Sequence, residues 1–283
     1  MTSPTQLTEE RDLSFAPANH LTPQTLSPQQ IKQYNNEGFL EPFDIYNPLE
    51  SQVNRTYFDD LLAKLESLKD GRDSYAINGY HSSCQGIYDM AMHPKILNLV
   101  QDIIGPDIIC WATHFFCKTP HDPKSVPWHQ DASYWPLTPS RTVTVWLAID
   151  DADTGNACMS VIPRTHCQGP LPWENATDPA VLNQKIMHIE QYGQPVAMEL
   201  KAGQVSLHAD MLAHGSTPNP SDRRRCGLTL RYCPPCVKAI QPAWASNAII
   251  CRGTDTTGQW SHTPRPEGDD LSIKNKPKSI GGN

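Results

Sequence analysis

The sequence predicts a mainly β fold with flanking helices, of the sandwich or barrel type to which jelly rolls belong. Helical periodicity is confined to the residues before Gly105, and from Ile108 onward short β-like runs follow one another with turn residues between them. Prolines number 26 against 16 glycines, and prolines break helices and interrupt central strands. The 283 residues are enough for one domain with a large core.

A loose segment is expected at each end of a single folded domain of residues 26–262. Residues 1–25 are polar and contain prolines, and residues 263–283 are rich in Pro, Gly, Lys and Asp. The first helix should begin at Ser27-Pro28, because serine caps helices and proline is favoured at the first helical position. Its apolar side would consist of Ile31, Tyr34 and Phe39.

Two further helices and a series of strands follow from the spacing of apolar residues. The second helix should cover about Tyr57–Leu68, and the third His93–Ile104, which Gly105 would end. In the run that starts at Thr142, apolar and polar residues alternate, as in a strand with one buried face. The expected strands are Ile108–Phe116, Thr142–Ile149, Met159–Ile162, Val196–Leu200, Gln204–His208 and Gly227–Tyr232.

Charge and cysteine content narrow the class of protein. The net charge is −7 at pH 7, and apart from Arg223-Arg224-Arg225 no basic run resembles a nucleic-acid patch, so no nucleic-acid partner is expected. No stretch approaches the ~20 apolar residues of a membrane span, and the N-terminal residues lack an apolar leader. Nine cysteines, an odd number, favour free thiols. We expect a cytoplasmic protein, monomeric or homodimeric, with no membrane partner.

His129, Asp131 and His214 are candidate metal ligands. On an extended segment residues i and i+2 point to the same side, so His129 and Asp131 can grip one ion while Gln130 points away. Two imidazoles and one carboxylate are the ligand set of non-heme iron(II) sites with open positions. His208 is an alternative ligand, and a zinc hydrolase using the same three ligands is an alternative function.

Three longer motifs carry a resemblance to a known family: VPWHQDASYW, NACMSVIPRTH and LAHGSTPNPSDRRRCGLTLRY. Over roughly Gln30 to Pro266 the chain resembles the phytanoyl-CoA dioxygenase family of iron(II)/2-oxoglutarate oxygenases. The resemblance implies a double-stranded β-helix, which is a cupin-like jelly roll, and the cofactors Fe(II), 2-oxoglutarate and O2. It also implies that His129, Asp131 and His214 bind the metal.

The same resemblance assigns a cosubstrate pocket. Arg225, eleven residues after His214, would bind the C5 carboxylate of 2-oxoglutarate through its planar fork, with Arg231 as the alternative. Ser216 would bind the same carboxylate. Further positions match residues that line the pocket or orient the site: Trp146, His114 and Gln130.

The expected reaction is hydroxylation of an unactivated C–H bond in a small-molecule substrate, with release of succinate and CO2. Related halogenases carry a small residue where this chain has Asp131, so the resemblance favours oxygenation; desaturation, epoxidation and ring closure stay open. No basic run suits a CoA diphosphate, which favours a small polar metabolite or natural-product intermediate. Candidate substrate contacts are Tyr134, Trp135, Asn78 and Tyr80, although the first two are equally expected to pack the mouth of the jelly roll.

Two cysteine features are less informative. Cys233-Pro234-Pro235-Cys236 has the spacing of a thiol redox motif or half a zinc site, but no second CxxC with zinc-ribbon spacing accompanies it, so we interpret it as two incidental thiols. Cys84 lies in a predicted loop and could approach the active site.

Overall fold

Two antiparallel β-sheets face each other, and helices cover the outer face of the larger sheet. The structure is a computed structural model that describes residues 11–19, 22–177 and 179–272. This arrangement is the predicted jelly roll. Among the described residues the strands are β1 (Phe39–Asp44), β2 (Ile108–Lys118), β3 (Val126–His129), β4 (Leu137–Thr138), β5 (Val143–Ala148), β6 (Ser160–Val161), β7 (Trp173–Asn175), β8 (Gln184–Ile186), β9 (Val196–Ala197), β10 (Gln204–Ala209), β11 (His214–Ser216), β12 (Arg225–Cys233), β13 (Lys238–Ala239) and β14 (Ile249–Arg252).

The two main sheets interleave strands that are distant in sequence. The major sheet has the order β1-β10-β5-β12-β2-β14, and the minor sheet has the order β3-β11-β6-β9. Two-stranded pairs β13-β4 and β7-β8 are added to them. In this topology β3 and β11, which lie far apart along the chain, pair directly.

The helices are α1 (Pro28–Glu37), α2 (Pro48–Ser67), α3 (Gln85–Ala91), α4 (Pro94–Ile104) and the short α5 (Asp131–Tyr134). The first begins as predicted, because the Ser27 side chain accepts from the backbone of Gln30, whose own side chain accepts from the Ser27 backbone. It ends at Gly38, whose φ of 86° is left-handed. Phe39 therefore belongs to β1, and the prediction that placed it on the apolar side of the helix is wrong. Within the described ranges, none of the helices combines the length and apolar character needed to cross a membrane.

The prediction for the second helix began too late. The side chain of Asn47 caps α2 by accepting from the backbone of Leu49 and Glu50, and the helix begins at Pro48, nine residues before the predicted start at Tyr57. Its first turns expose Leu49 (81%) and Val53 (67%), so they show no apolar face in the sequence. The predicted helix His93–Ile104 corresponds to α4, which spans Pro94–Ile104 and has His93 as its N-terminal cap.

Alternation along the strands divides the major sheet into a helix-facing side and an inner side. The inner side carries Thr144 and Trp146 of β5, together with Arg225, Thr229 and Arg231 of β12. Apart from Thr144, these side chains line one cavity. The residues between them pack into the core under the helices: Val143, Val145, Leu147, Leu228 and Leu230. The inner face, which meets the minor sheet, is therefore where the polar side chains of the fold gather.

The described parts of the two terminal segments make contacts with the folded domain. Arg11 donates to the carbonyls of Ala132 and Trp135, and Leu13 is buried. Near the other end, Leu271 is buried and the Tyr57 hydroxyl donates to Asp269 at 2.6 Å. The residues that make these contacts are far apart in sequence, so the composition of the terminal segments did not reveal them. Residues 1–10 and 273–283 lie outside the described residues.

Candidate metal centre and cosubstrate pocket

His129, Asp131 and His214 converge on one buried point between the sheets. His129 ends β3 and pairs in register with His214, which begins β11, while Asp131 opens α5. One possible ligand atom from each residue lies within 4.8 Å of the others. The Nε2 atom of His129 is 3.7 Å from Oδ1 of Asp131. Among the described residues these three form the candidate metal group, and His208 is not part of it.

Backbone carbonyls set the tautomers of both histidines. Nδ1 of His129 lies 2.8 Å from the Pro127 oxygen, and Nδ1 of His214 lies 2.9 Å from the Leu212 oxygen. A carbonyl can only accept, so each Nδ1 carries the proton and each Nε2 keeps its lone pair for a metal. Burial, followed by the neighbouring His129, holds the pKa of His214 well below its usual value, which keeps that ring neutral.

Asp131 lies above a row of three side chains from adjacent strands. His208, Thr144 and Arg231 occupy paired positions on β10, β5 and β12. Thr144 donates to Oδ2 at 3.2 Å; Nε2 of His208 lies 3.8 Å from Oδ2, and NH2 of Arg231 lies 3.9 Å from Oδ1. Burial opposes ionisation of Asp131, but Arg231, His129 and His208 outweigh it, so its pKa lies well below the usual range. The carboxylate is therefore charged at neutral pH.

Arg225 is a buried guanidinium with no acidic partner. It is 2% exposed, and it donates from Nε to the Ala157 oxygen at 3.0 Å and from NH2 to Oγ of Ser216 at 3.1 Å. Within the described part of the chain, no carboxylate lies within ion-pair distance of it. Its two neighbours in the arginine run do have such partners: Arg223 pairs with Asp153 and Arg224 with Asp150, each at 2.7 Å. Burial lowers the pKa of Arg225, and a buried cation requires an anion.

The triad and Arg225 line one cavity, together with Ser216 and Trp146. Trp146 lies across β12, with its ring 5.8 Å from the guanidinium carbon of Arg225. This position depends on Gly227, where an added Cβ would lie 2.0 Å from Cζ2 of Trp146. We did not single out Gly227 from the sequence, although a glycine inside a strand is a known sign of close approach.

Gln130 and His114 lie behind the cavity and do not line it. Nε2 of Gln130 donates to the oxygens of Met211 (2.8 Å) and Gly169 (3.0 Å), and its Oε1 accepts from the Leu171 backbone (2.8 Å). Gln130 lies between the metal ligands His129 and Asp131, and its hydrogen bonds connect this segment to the loop at Gly169–Leu171 and to the loop at Met211. Nε2 of His114 lies 2.7 Å from the Tyr75 oxygen. Burial, followed by the charge of Arg231, lowers the pKa of His114 to about 3.

The four candidate substrate contacts occupy different places. The Tyr134 ring lies 5.8 Å from that of His129, and the Trp135 ring lies 5.0 Å from the guanidinium carbon of Arg231; both rings are buried outside the cavity lining. Asn78 is half-buried and forms a β-bridge with His114. Tyr80 is not brought to the cavity, since its ring belongs to the helix-side core.

The cysteines contribute no ligand to this site. All nine are free. Cys84 is buried in the helix-side core, with Sγ directed at the Asp270 oxygen, and does not approach the cavity. Cys233 is buried at the end of β12, whereas Cys236 is exposed.

The cavity is also lined by residues that were not predicted from the sequence, and by His208 and Arg231, which were predicted only as alternatives. Thr229 and Arg231 of β12 and His208 of β10 contribute to its wall, as do Met159 and Phe116. The signal for the first two was the alternation of β12, which places every second residue on the side of Arg225. The alternative interpretation of Arg231 as the cosubstrate arginine placed it in the right cavity.

Comparison with known proteins identifies the family. The model for phytanoyl-CoA dioxygenase (PhyH) matches residues 23–227. The peroxisomal phytanoyl-CoA dioxygenase of Bos taurus is 29% identical over 234 residues, covering 73% of this chain and 68% of that protein. The non-heme monooxygenase ThoJ in its apo form has a TM-score of 0.73 at 27% identity, covering 85% of this chain and 90% of its own. CytC3 with Fe(II) and alpha-ketoglutarate, at 22% identity and a TM-score of 0.63 over 84% and 93% of the two chains, shares the fold. This chain belongs to the phytanoyl-CoA dioxygenase family and is a non-heme iron oxygenase that uses Fe(II), 2-oxoglutarate and O2.

Proposed function

We propose that this enzyme hydroxylates an unactivated C–H bond of a small polar metabolite or natural-product intermediate, with release of succinate and CO2. The observation that carries the proposal is the buried Arg225, which lacks a carboxylate partner among the described residues and shares a cavity with the metal triad. A dicarboxylate that reaches from the triad to Arg225 would supply a ligand to the metal at one end and a counter-ion to Arg225 at the other.

The residues present fit the implied cofactors. His129 and His214 would offer neutral Nε2 atoms and Asp131 a charged oxygen, which is a hard and borderline donor set suited to Fe(II). Arg225 and Ser216 would hold the far carboxylate of 2-oxoglutarate by charge-assisted hydrogen bonds. Bound iron and 2-oxoglutarate supply an oxidant strong enough to attack a C–H bond. The residues that line the cavity would orient the target carbon.

Asp131 supports oxygen transfer. Related halogenases have a small residue at this position, which leaves a place for chloride, whereas this chain fills it with a carboxylate fixed by Thr144. Desaturation, epoxidation and ring closure use the same oxidant and are the alternative outcomes of this proposal.

A zinc hydrolase with the same three ligands is not favoured. Such an enzyme would have no use for a buried arginine and hydroxyl aimed at each other inside the cavity, as Arg225 and Ser216 are. It would also have to tolerate the unpaired charge of Arg225 at each stage of its reaction.

We further propose that the protein acts in the cytoplasm as a monomer or homodimer on a small-molecule substrate. The nine free cysteines support a reducing compartment.

The test is anaerobic reconstitution followed by a substrate screen. Protein loaded with Fe(II) should bind 2-oxoglutarate and, on exposure to O2 and a true substrate, release succinate. His129→Ala should abolish both metal binding and succinate release, while His188→Ala, at an exposed histidine, should change neither. Substrate turnover by zinc-loaded protein without 2-oxoglutarate would overturn the proposal in favour of hydrolysis.

A further inference from the structure

A second buried arginine in the cavity has no hydrogen-bond partner among the described residues. Arg231 is 8% exposed, and no described residue accepts a hydrogen bond from its guanidinium; its Nε is buried and unpaired. The acid nearest to it is Asp131, at 3.9 Å, beyond hydrogen-bond distance. Burying a charged donor without a partner is costly, so this group calls for an acceptor that the cavity itself can hold.

Arg231 lines the cavity beside the metal ligands. Its guanidinium carbon lies 5.0 Å from the Trp135 ring, a cation–π contact that helps to hold the side chain in place. His208 lies on the other side of Asp131 in the same row, is 1% exposed and has both ring nitrogens unpaired. Both side chains line the cavity. Two side chains with unpaired polar atoms therefore border the same space.

The charge balance of the site with Fe(II) and 2-oxoglutarate bound also favours a negatively charged substrate. The charges of Fe(II), Asp131, Arg225 and doubly charged 2-oxoglutarate cancel. When Arg231 is included, these groups carry a net charge of +1. A buried charge without a counter-ion is unfavourable, and a substrate that carries one negative charge would remove the imbalance.

We propose that Arg231 binds a carboxylate of the substrate, with His208 as a second polar contact beside it. The inference rests on the proposed function and names its substrate class: a small metabolite with a carboxylate group close to the carbon that reacts. Arginine offers two parallel N–H donors to such a group. The cosubstrate and the substrate would thus each be recognised by one arginine of β12, Arg225 and Arg231.

Hexanoate and its uncharged analogue hexanamide are suitable probes. They share an alkyl chain that can lie against Phe116, Val126 and Met159 of the cavity wall, and they differ in the carboxylate. Calorimetric titrations would use protein loaded with Mn(II) and saturating 2-oxoglutarate, so that no turnover occurs and the Arg225 site is filled. The variants are Arg231→Gln, Arg231→Lys and, as a matched control, Arg265→Gln, which removes an exposed arginine paired with Asp89.

Wild type and the Arg265→Gln control should bind hexanoate more tightly than hexanamide by about tenfold or more, the usual effect of a hydrogen bond to a charged group. Arg231→Gln should abolish this preference, and Arg231→Lys should keep part of it. The affinities for Mn(II) and 2-oxoglutarate should stay close to those of wild type in all variants.

Five results would overturn parts of this reasoning. Equal binding of the two probes by wild type, or no binding of hexanoate, would refute the carboxylate subsite. A loss of 2-oxoglutarate affinity in Arg231→Gln would assign Arg231 to the cosubstrate, and a loss of Mn(II) affinity would make it a positioning residue for Asp131. Failure of wild type to bind 2-oxoglutarate at all would instead refute the proposed function.

Discussion

A single methyl group at Gly227 should damage the cosubstrate pocket while leaving the metal ligands untouched. The Cβ of Gly227→Ala would lie 2.0 Å from Cζ2 and 2.3 Å from Cε2 of Trp146, and ordinary contacts begin at 3.4 Å. The indole must therefore retreat by about 1.4 Å, which is 3.4 minus 2.0. Trp146 is 4% exposed and packed in the core between the sheets, so it has little room to do so. Overpacking of this kind costs ~1–3 kcal/mol.

The assay is anaerobic titration of the Fe(II)-loaded protein with 2-oxoglutarate. If the strain falls on the bound state, the dissociation constant should rise about tenfold to a hundredfold, while Fe(II) binding stays near wild type. Trp146→Phe removes the benzo atoms that meet the new methyl group, so adding it to Gly227→Ala should recover part of the loss, beyond additivity with Trp146→Phe alone. Wild-type affinity in Gly227→Ala, or no recovery in the double variant, would refute the reasoning.

Three further changes test other parts of the site. Arg225→Gln should weaken 2-oxoglutarate binding by ~2–5 kcal/mol, the usual cost of truncating a buried charged partner, and Arg225→Lys by less; titration that gives unchanged affinity would contradict the assignment. Gln130→Ala leaves three backbone groups unpaired, so urea denaturation should show a loss of ~2–4 kcal/mol, and an unchanged free energy of unfolding would show that water replaces the side chain. His114 has its pKa lowered from 6.5 to about 3 in the folded protein, so between these values only the unfolded chain takes up the proton and stability falls as pH falls. His114→Gln should remove that contribution, which is at most ~1.4 kcal/mol per pH unit; identical slopes for both proteins would contradict it.

The metal site was predicted partly from local spacing and partly from the family resemblance. His129 and Asp131 are two residues apart and share one side of an extended segment, whereas His214, Arg225 and Ser216 were assigned by their resemblance to the family motif. The capped start of α1 was predictable from local spacing, since Ser27, Pro28 and Gln30 act within one turn.

Features that depend on the register between strands could not be predicted. The row of His208, Thr144 and Arg231 forms only because β10, β5 and β12 pair in one particular alignment. The alternation within each strand was visible, but it does not state which residues become neighbours. The start of α2 was missed because Leu49 and Val53 are exposed, so the periodic signal of a buried face begins later.

The carbonyl contacts of the two histidines separate the metal site from the rest of the cavity. Each imidazole is oriented by the oxygen two residues earlier in its own chain segment, at Pro127 and Leu212, and neither depends on β12. Substitutions on β12 can therefore change the cavity wall while both imidazoles keep their orientation. Thr229 is the clearer target for redesign of substrate preference, because Arg231 also acts on the metal ligand Asp131.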